Sequence, residues 1–427
     1  MDSEIANIIR LKLKLCLTIA FTLLSLGAKT QEKPDTASVS NLTTSHEKCD
    51  TVYVAVIDEG YFIKNNKKIS EHIPEKFQKD QRFNNRSLYI ANKAHAEEVI
   101  GVILDTYNSK DTYLEIIPLA AEPYENLSPR LSRALVVNYL NKKYNYGNIP
   151  RNIMKKYLGF DIKNEIIYKS EAVYERTTFN GNKAYRQIAS ALNFSNNIDA
   201  AIENNAKVIN CSFVLEKTTD PEIVDIFKRT LEKAFNCGIS VVAAAGNNKE
   251  ELNKYSSYSD IGDFDNRVIV VSAVDNDGHF AKDFSNYGAS INIAARGVNV
   301  KTDLTNLYLT DPSNPLINEL FGHPSYTATY NSILWHVYNN GTSLAAANIT
   351  AALARIYADI PNISRENAEK ILFQLTKYPP DIQRKIESYQ KKTGTHDIPK
   401  DISAQYGAGV LTFQNYSKII AEYKSKF

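Results

Sequence analysis

Short apolar runs recur along the chain, and most of them are rich in β-branched residues with few polar interruptions. Strands that are buried on both faces have this continuous pattern, whereas half-exposed strands alternate apolar and polar positions. The pattern predicts a series of buried strands at Val52–Ile57, Leu114–Ala120, Lys207–Phe213, Ser240–Gly246, Val268–Val274 and Ile291–Ala295.

Helical periodicity occupies several of the gaps between these runs. In "HAEEVIGVIL", the apolar residues at positions 99, 100, 103 and 104 form one helical face, and "NNIDAAIENNA" and "DIFKRTLEKAFN" each lead directly into a strand. Alternation of strands and helices indicates βαβ units with right-handed crossovers. We therefore expect an α/β fold: a doubly wound, mostly parallel sheet with helices on both faces, in three layers.

The N-terminal region differs from the rest of the chain. Three basic residues, Arg10, Lys12 and Lys14, precede an apolar run from Leu15 to Ala28 that is short for a membrane span. We predict a cleaved signal peptide at 1–28, with a retained anchor as the alternative, and a flexible arm at 29–50. The predicted product is secreted or periplasmic, with no membrane segment after signal cleavage.

Residues 51–427 are predicted to form one domain with two insertions. The stretch 122–183 is rich in Tyr, Asn and Lys and contains a helical portion, and a second, charged stretch lies near 378–401. Both interrupt the rhythm of strands and helices, so we place them beside the sheet.

Composition excludes some function classes. The chain has 50 basic and 48 acidic residues, intermixed along its 427 positions, which argues against a nucleic-acid partner. Outside the signal region it has Cys49, Cys211 and Cys237, without the spacing of a disulfide framework or a zinc site. We expect Cys211 and Cys237 to be buried, and we expect no metal or cofactor. Nothing in the sequence indicates an oligomeric state.

Four polar residues are predicted to share one edge of the sheet. Asp58 and Asn247 each follow a strand, while His95 and Ser343 each open a helix. The working crevice of a parallel sheet lies at the carboxyl ends of its strands. Each residue alone has an ordinary explanation as a turn former or a helix cap. Together they supply the acid, imidazole, amide and hydroxyl of a nucleophilic acyl-transfer site.

Several segments resemble the subtilisin-like serine proteases, the subtilases. The similarity covers Thr51 to about Ala421 apart from the insertions, and the order Asp, His, Ser along the chain is that of subtilisin. The segments that carry the resemblance are "VAVIDEG", "AHAEEVIGVI", "VINCSF", "VVAAAGN", "VIVVSAVDNDG", "FSNYGASINIAARGV" and "NGTSLAAANITAALA".

The resemblance implies a role for each residue. Ser343 corresponds to the nucleophile, His95 to the general base, Asp58 to the carboxylate that orients it, and Asn247 to the side-chain donor of the oxyanion hole. The substrate would be a protein or peptide. Calcium is common in the family, but no calcium-binding loop is recognisable here. The resemblance places the first specificity pocket near Ser212, Phe213, Val214, Ala244, Ala245 and Gly246.

Two departures from the family pattern bear on this interpretation. Glu97 and Glu98 follow His95 where the family usually has Thr and His. We expect both to face solvent on the first helical turn; the alternative is that they raise the pKa of His95. Residues Phe213–Leu215 stand where glycines usually admit a substrate strand, and their bulk could narrow the groove.

The sequence thus favours a secreted or periplasmic serine endopeptidase that works through an acyl-enzyme on Ser343. A catalytically weak or inactive binding protein on the same scaffold is the alternative, since the groove is altered. An esterase or amidase is a third possibility, because the same three side chains also cleave esters.

Overall fold

A computed structural model describes most of the chain after residue 50. The described residues are 51–59, 61, 66–80, 94–109, 112–121, 129–144, 149–158, 183–213, 218–252, 267–305, 329–331 and 334–425. The predicted signal peptide at 1–28 and arm at 29–50 lie outside them, and stay predictions.

The described residues contain a large central sheet with the strand order β10-β11-β6-β5-β4-β3-β1-β2. Neighbouring strands from β11 to β2 run parallel, and only β10 pairs antiparallel. The strands are β1 Thr51–Asp58, β2 Tyr113–Ala120, β3 Val208–Cys211, β4 Ser240–Ala244, β5 Val268–Val274, β6 Ile293–Arg296, β10 Thr376–Lys377 and β11 Val410–Leu411. Each of the apolar runs quoted above lies on one of these strands, so the predicted mostly parallel sheet is confirmed.

Helices connect and cover the strands. Among the described residues, no helix combines the length and apolar character that a bilayer crossing requires. The helices are α1 Lys67–Ser70, α2 Glu75–Gln78, α3 His95–Tyr107, α4 Pro129–Lys143, α5 Arg151–Leu158, α6 Lys183–Glu203, α7 Pro221–Asn236, α8 Thr342–Asp359, α9 Arg365–Gln374, α10 Pro380–Thr393, α11 Lys400–Tyr406 and α12 Tyr416–Lys424.

Successive strand residues contribute to two different cores. Val54 and Val56 of β1 pack in a cluster with side chains from α3 and α8. Their neighbours Ala55 and Ile57 point to the opposite face and pack with α6 and α7. This alternation explains why the strand sequences lack polar positions, since both faces are buried. The three-layer architecture predicted from the sequence is confirmed.

A small antiparallel sheet was not predicted. It has the order β7-β9-β8 and consists of β7 Val300–Thr305, β8 Thr329–Asn331 and β9 Leu334–Asn339. Strand β9 leads directly into α8. The small sheet therefore connects to the segment that carries Ser343.

The strand order places a topological switch point at β1. This strand pairs with β2 on one side and with β3 on the other, so the connections that leave these strands diverge. Ligands of open α/β sheets bind in the crevice that forms beyond the strand ends at such a point. Asp58 ends β1, and Ser212 directly follows β3.

The two cysteines among the described residues differ in exposure. Cys211 is buried in β3, as expected, but Cys237 is exposed. Cys237 caps the C-terminus of α7, where the chain has left the apolar face of the helix. The expectation that both pack inside was wrong for Cys237.

Candidate active site

Asp58 and His95 form a direct hydrogen bond. Nδ1 of His95 lies 2.7 Å from Oδ1 of Asp58, and the same oxygen accepts the backbone N–H of Glu59 at 2.7 Å. An ionised carboxylate can only accept hydrogen bonds, so Nδ1 must carry the proton. In the neutral imidazole this leaves Nε2 as the basic nitrogen.

The surroundings of His95 favour its charged form. Burial alone would lower the pKa of His95, but the negative charges of Asp58, Glu98 and Glu59 and the Asp58 hydrogen bond together raise it to about 9. The imidazole is therefore mostly protonated at neutral pH. Its basic form becomes abundant only at alkaline pH.

Glu97 and Glu98 do not face solvent, so that expectation was wrong. Glu97 is 1% exposed and Glu98 is 4% exposed. Nδ2 of Asn339 donates to both carboxylate oxygens of Glu98, at 3.2 and 2.9 Å. The reason is that Asn339, at the end of β9, covers the first turn of α3. Sequence periodicity gives no sign of this contact across 241 positions.

Ser343 is the second residue of α8 and is 6% exposed. Its hydroxyl donates to the carbonyl oxygen of Ser212 at 3.1 Å. In return, the hydroxyl of Ser212 lies 3.3 Å from the carbonyl oxygen of Ser343 and 2.7 Å from Oδ1 of Asn210. These contacts tie the start of α8 to the end of β3.

Gly297 sets the path of the chain just before Ser343. The carbonyl oxygen of Gly297 accepts the N–H of Gly341 at 2.8 Å. A Cβ on Gly297 would lie 2.6 Å from the carbonyl oxygen of Gly341 and 2.7 Å from Cβ of Ala273. The backbone approach is too close for any side chain, so glycine is required at this position.

Asn247 faces the start of α8 with a defined orientation. Its Oδ1 accepts both the backbone N–H and the hydroxyl of Thr342, each at 2.9 Å. Because a backbone N–H can only donate, the oxygen of the amide must face Thr342 and Nδ2 must point away from it. A Cβ on Gly341 would lie 3.7 Å from that Nδ2 and 3.8 Å from the backbone nitrogen of Ser343. Two hydrogen-bond donors thus border one small space.

Thr342 belongs to this hydrogen-bonded arrangement, although sequence reasoning did not single it out. Besides its two bonds to Asn247, its hydroxyl accepts the N–H of Gly246 at 3.0 Å. It therefore joins the segment after β4 to the start of α8. The only sequence signal is a small hydroxyl residue immediately before Ser343.

The structure brings the predicted residues to one edge of the sheet. Asp58 is bonded to His95, Asn247 is bonded to the neighbour of Ser343, and Ser343 is bonded to Ser212. Helix α3 begins at His95, and helix α8 begins one residue before Ser343. Apolar side chains of both helices belong to the same core cluster. The hydroxyl of Ser343 is directed to the Ser212 carbonyl in this arrangement.

The residues proposed for the specificity pocket are mostly buried. Ser212, Ala244, Ala245 and Gly246 are buried at the ends of β3 and β4. Phe213 is half-buried, and its ring meets Phe194 of α6 edge-on at 6.3 Å between centroids. That contact turns the ring toward a helix of the neighbouring layer. Val214 lies outside the described residues.

One group of side chains has the composition of a cation site among the described residues. Asp275, Asp277 and His279 each place a ligand atom within 4.8 Å of the others. However, Oδ1 of Asp275 accepts the backbone N–H groups of both Asp277 and His279 at 2.9 Å. Nε2 of His279 lies 3.2 Å from Asp381. These hydrogen bonds explain why the three side chains lie close together: they belong to one turn, and His279 contacts α10.

Comparison with known proteins gives consistent results. A family model described as the subtilase family matches residues 50–409. Subtilisin DY of Bacillus licheniformis is 34% identical over 170 residues, which cover 39% of this chain and 48% of that protein. A thermostable alkaline protease of Halalkalibacterium halodurans is 38% identical over 109 residues, 25% of this chain and 27% of that protein. The matches thus span about half or less of these relatives.

A solved structure has the same overall fold. The crystal structure of a lanthipeptide protease matches with a TM-score of 0.51 and covers 87% of each chain, at 13% sequence identity. At this identity the likeness concerns the fold alone. It agrees with the parallel sheet and helical layers described above.

Proposed function

Because the chain belongs to the subtilase family, we propose that it is a serine endopeptidase that hydrolyses peptide bonds through an acyl-enzyme on Ser343. The observation that carries the proposal is the 2.7 Å bond between Asp58 and His95. It lies at the sheet edge where α8 also begins, and it fixes the tautomer that a general base requires.

The first half of the reaction uses each residue in one role. The Ser343 oxygen attacks the scissile carbonyl carbon while Nε2 of His95 takes the hydroxyl proton. The carbonyl oxygen becomes an oxyanion, which accepts hydrogen bonds from Nδ2 of Asn247 and from the N–H of Ser343. The start of α8 adds a favourable dipole.

The second half releases both products. The tetrahedral intermediate collapses, the C–N bond breaks, and His95 gives its proton to the leaving amine. Water then attacks the ester on Ser343 with His95 again as base, which frees the acid product and restores the hydroxyl. Asp58 stays ionised throughout and stabilises the imidazolium.

We further propose that the protein is exported and acts on proteins or peptides. The basic residues ahead of the apolar run at 15–28 support export through a signal peptide. Ser212 and Gly246 are bonded to the start of α8, and together with Ala244 and Ala245 they would line the first specificity pocket, with Phe213 at its edge. No cofactor is required by this mechanism.

Labelling with a fluorophosphonate probe tests the proposal directly. The activated serine oxygen attacks the phosphorus of the probe and displaces fluoride, which leaves a phosphonylated serine, so we expect labelling of the wild type at alkaline pH. Ser343→Ala should not be labelled, and His95→Asn should be labelled far more slowly. Peptide mass spectrometry should place the adduct on Ser343.

Absence of labelling in a folded wild-type protein from pH 7 to 10 would reject the protease proposal. It would favour the alternative, a binding protein on the same scaffold. Labelling combined with cleavage of esters but not of peptides would instead support an esterase.

A further inference from the structure

We propose that Glu98 is a positioning residue of this site: Asn339 holds its carboxylate beside His95, and the pair ties the base to the loop that carries Ser343. The inference rests on the proposed function and adds to it a carboxylate that the family resemblance does not assign.

The first argument is position. Glu98 lies three residues after His95 on α3, and residues at this spacing are neighbours on one helical face. Its carboxylate is buried, so its charge is weakly screened by solvent. A buried negative charge next to an imidazole stabilises the imidazolium more than the neutral ring.

The second argument is the way in which the carboxylate is held. Both of its oxygens accept from Nδ2 of Asn339, at 3.2 and 2.9 Å. The amide oxygen of Asn339 accepts the N–H of Asn340 at 2.7 Å. Asn340 in turn accepts the N–H of Asn299 at 2.7 Å. The loop that precedes Ser343 is therefore held by two sets of hydrogen bonds, from Asn339 to Glu98 and from Asn299 to Asn340.

Other charged groups also face His95, so the effect of Glu98 must be separated from theirs. Asp58 and Glu59 approach from the end of β1, and Glu98 approaches from α3 itself. The buried phenol of Tyr61 lies beside Asp58, and burial together with that carboxylate raises its pKa. From the described end of β9, the neutral amide of Asn339 contacts Glu98.

The central test is Glu98→Gln, which keeps an acceptor for Asn339 but removes the charge. We expect the midpoint of the rise in kcat/KM with pH to move about one unit toward lower pH. As a result, the variant should be more active than the wild type at pH 7. A merely structural role for Glu98 would lower the rate without moving the midpoint.

Glu97→Gln is the matched control. Glu97 is the adjacent carboxylate, is equally buried, and lies on the same turn, but it is not among the charges that act most strongly on His95. Its substitution should leave the midpoint close to the wild-type value. Equal shifts for both variants, or no shift for Glu98→Gln, would overturn the proposal.

A second variant tests the hydrogen bonds of Asn339 and covers the case in which Glu98→Gln does not fold. Asn339→Ala removes both hydrogen bonds to the carboxylate, and we expect kcat to fall about tenfold or more while KM changes little. Unchanged kcat would contradict the role of Asn339.

A titration of His95 separates this inference from the protease proposal. In full-length Ser343→Ala with isotope-labelled histidine, the NMR signal absent from the additional variant His95→Asn identifies His95. Its titration midpoint should move to lower pH when Glu98→Gln is added. This result does not depend on turnover, so it would stand even if the wild type showed no labelling.

Discussion

At the scale of single residues, the two ends of the Asn247 amide face different surroundings. The oxygen is occupied by the N–H and hydroxyl of Thr342, which leaves the NH₂ group to face the space beside Gly341. The same side chain therefore organises the start of α8, and in the proposed mechanism its NH₂ group would donate to the oxyanion.

Asn247→Asp separates these two tasks. The substitution keeps an acceptor for Thr342 but removes the donor and adds a negative charge where the oxyanion forms. We expect the fold to be kept and kcat to fall at least as much as in subtilisin, where loss of the corresponding donor costs about 10²–10³-fold. Steady-state kinetics with a peptide substrate measures the loss. Activity within a few-fold of the wild type, in a variant with an unchanged Tm, would remove Asn247 from the proposed oxyanion hole.

The sequence predicted the positions of residues that follow strands or open helices. It did not predict which distant residues pack over them and bury them. Asp58 and His95 could be placed at the sheet edge because an apolar strand and an amphipathic helix flank them. The burial of Glu98 depends on Asn339, which arrives from a strand 241 positions away. No local pattern encodes that contact, so a solvent-facing position was the expected but incorrect interpretation.

At the scale of elements, the orientation of α8 depends on a close backbone contact. Gly297 accepts the N–H of Gly341 and leaves no room for a Cβ. The contact fixes where the loop ends and the helix begins, and thus where Ser343 stands.

Gly297→Ala should displace this loop. A methyl group 2.6 Å from a carbonyl oxygen forces a backbone shift, which typically costs roughly 1–3 kcal/mol in the free energy of unfolding. We expect a lower Tm and a fall in kcat. Gly394→Ala is the control, since a Cβ at Gly394 meets nothing within 4 Å and the cost is limited to its φ of +70°. Equal activity losses in the two variants would contradict the positional role of Gly297.

Two helices within the predicted insertion at 122–183, α4 and α5, are anchored on the N-terminus of α7. Glu222 accepts hydrogen bonds from Tyr139 and Tyr144 and forms an ion pair with Lys143. Asp220, which caps α7, accepts from Tyr157 at 2.6 Å. Helices α4 and α5 are thus fastened to the layer opposite α3 and α8. This arrangement indicates a structural brace.

Glu222→Ala tests the brace. Three donors lose a common acceptor that is largely shielded from solvent, so we expect a loss of roughly 1–3 kcal/mol in the free energy of unfolding. At temperatures where the variant is folded, kcat should stay unchanged. Glu232→Ala on the exposed face of the same helix is the control and should leave the Tm nearly unaltered. A change in kcat without a change in Tm would instead indicate a gating role.

Element prediction succeeded where burial on both faces produced a continuous apolar run. It failed for the small antiparallel sheet, because β7 "VKTDLT" and β9 "LWHVYN" mix polar and apolar residues without such a run. The two-residue strands β10 and β11 are too short to carry any periodicity.

At the scale of the whole molecule, strand order decides where the reactive groups meet. The pattern of the sequence predicts parallel strands, but not that β1 lies between β2 and β3. Strand order is set by long-range packing of the two apolar clusters, which a linear pattern does not encode. Once β1 occupies the switch point, Asp58 and Ser212 come together at one crevice.

His95 is expected to give the molecule opposite pH dependences of activity and stability. Its pKa is raised from an ordinary value of 6.5 to about 9 in the folded chain. A raised pKa means that the folded state binds the proton more tightly than the unfolded state. The charged pair with Asp58 therefore stabilises the fold fully below pH 6.5, and this contribution is lost as the pH rises through about 9. The neutral base required for acylation increases over the same interval.

The pH dependences of activity and of stability can be measured on the wild type and on variants of this chain. The wild-type kcat/KM should rise between pH 7 and 10 with a midpoint near 9. Thermal unfolding of Ser343→Ala, which cannot digest itself, gives the stability curve, and the double variant with His95→Asn removes the contribution of this one group. The difference in Tm between the two should shrink as the pH rises through that midpoint. Two results together would show that the carboxylates around His95 do not control its protonation. One is a Tm difference between the two variants that does not change with pH, and the other is a wild-type kcat/KM that already reaches its plateau at pH 7.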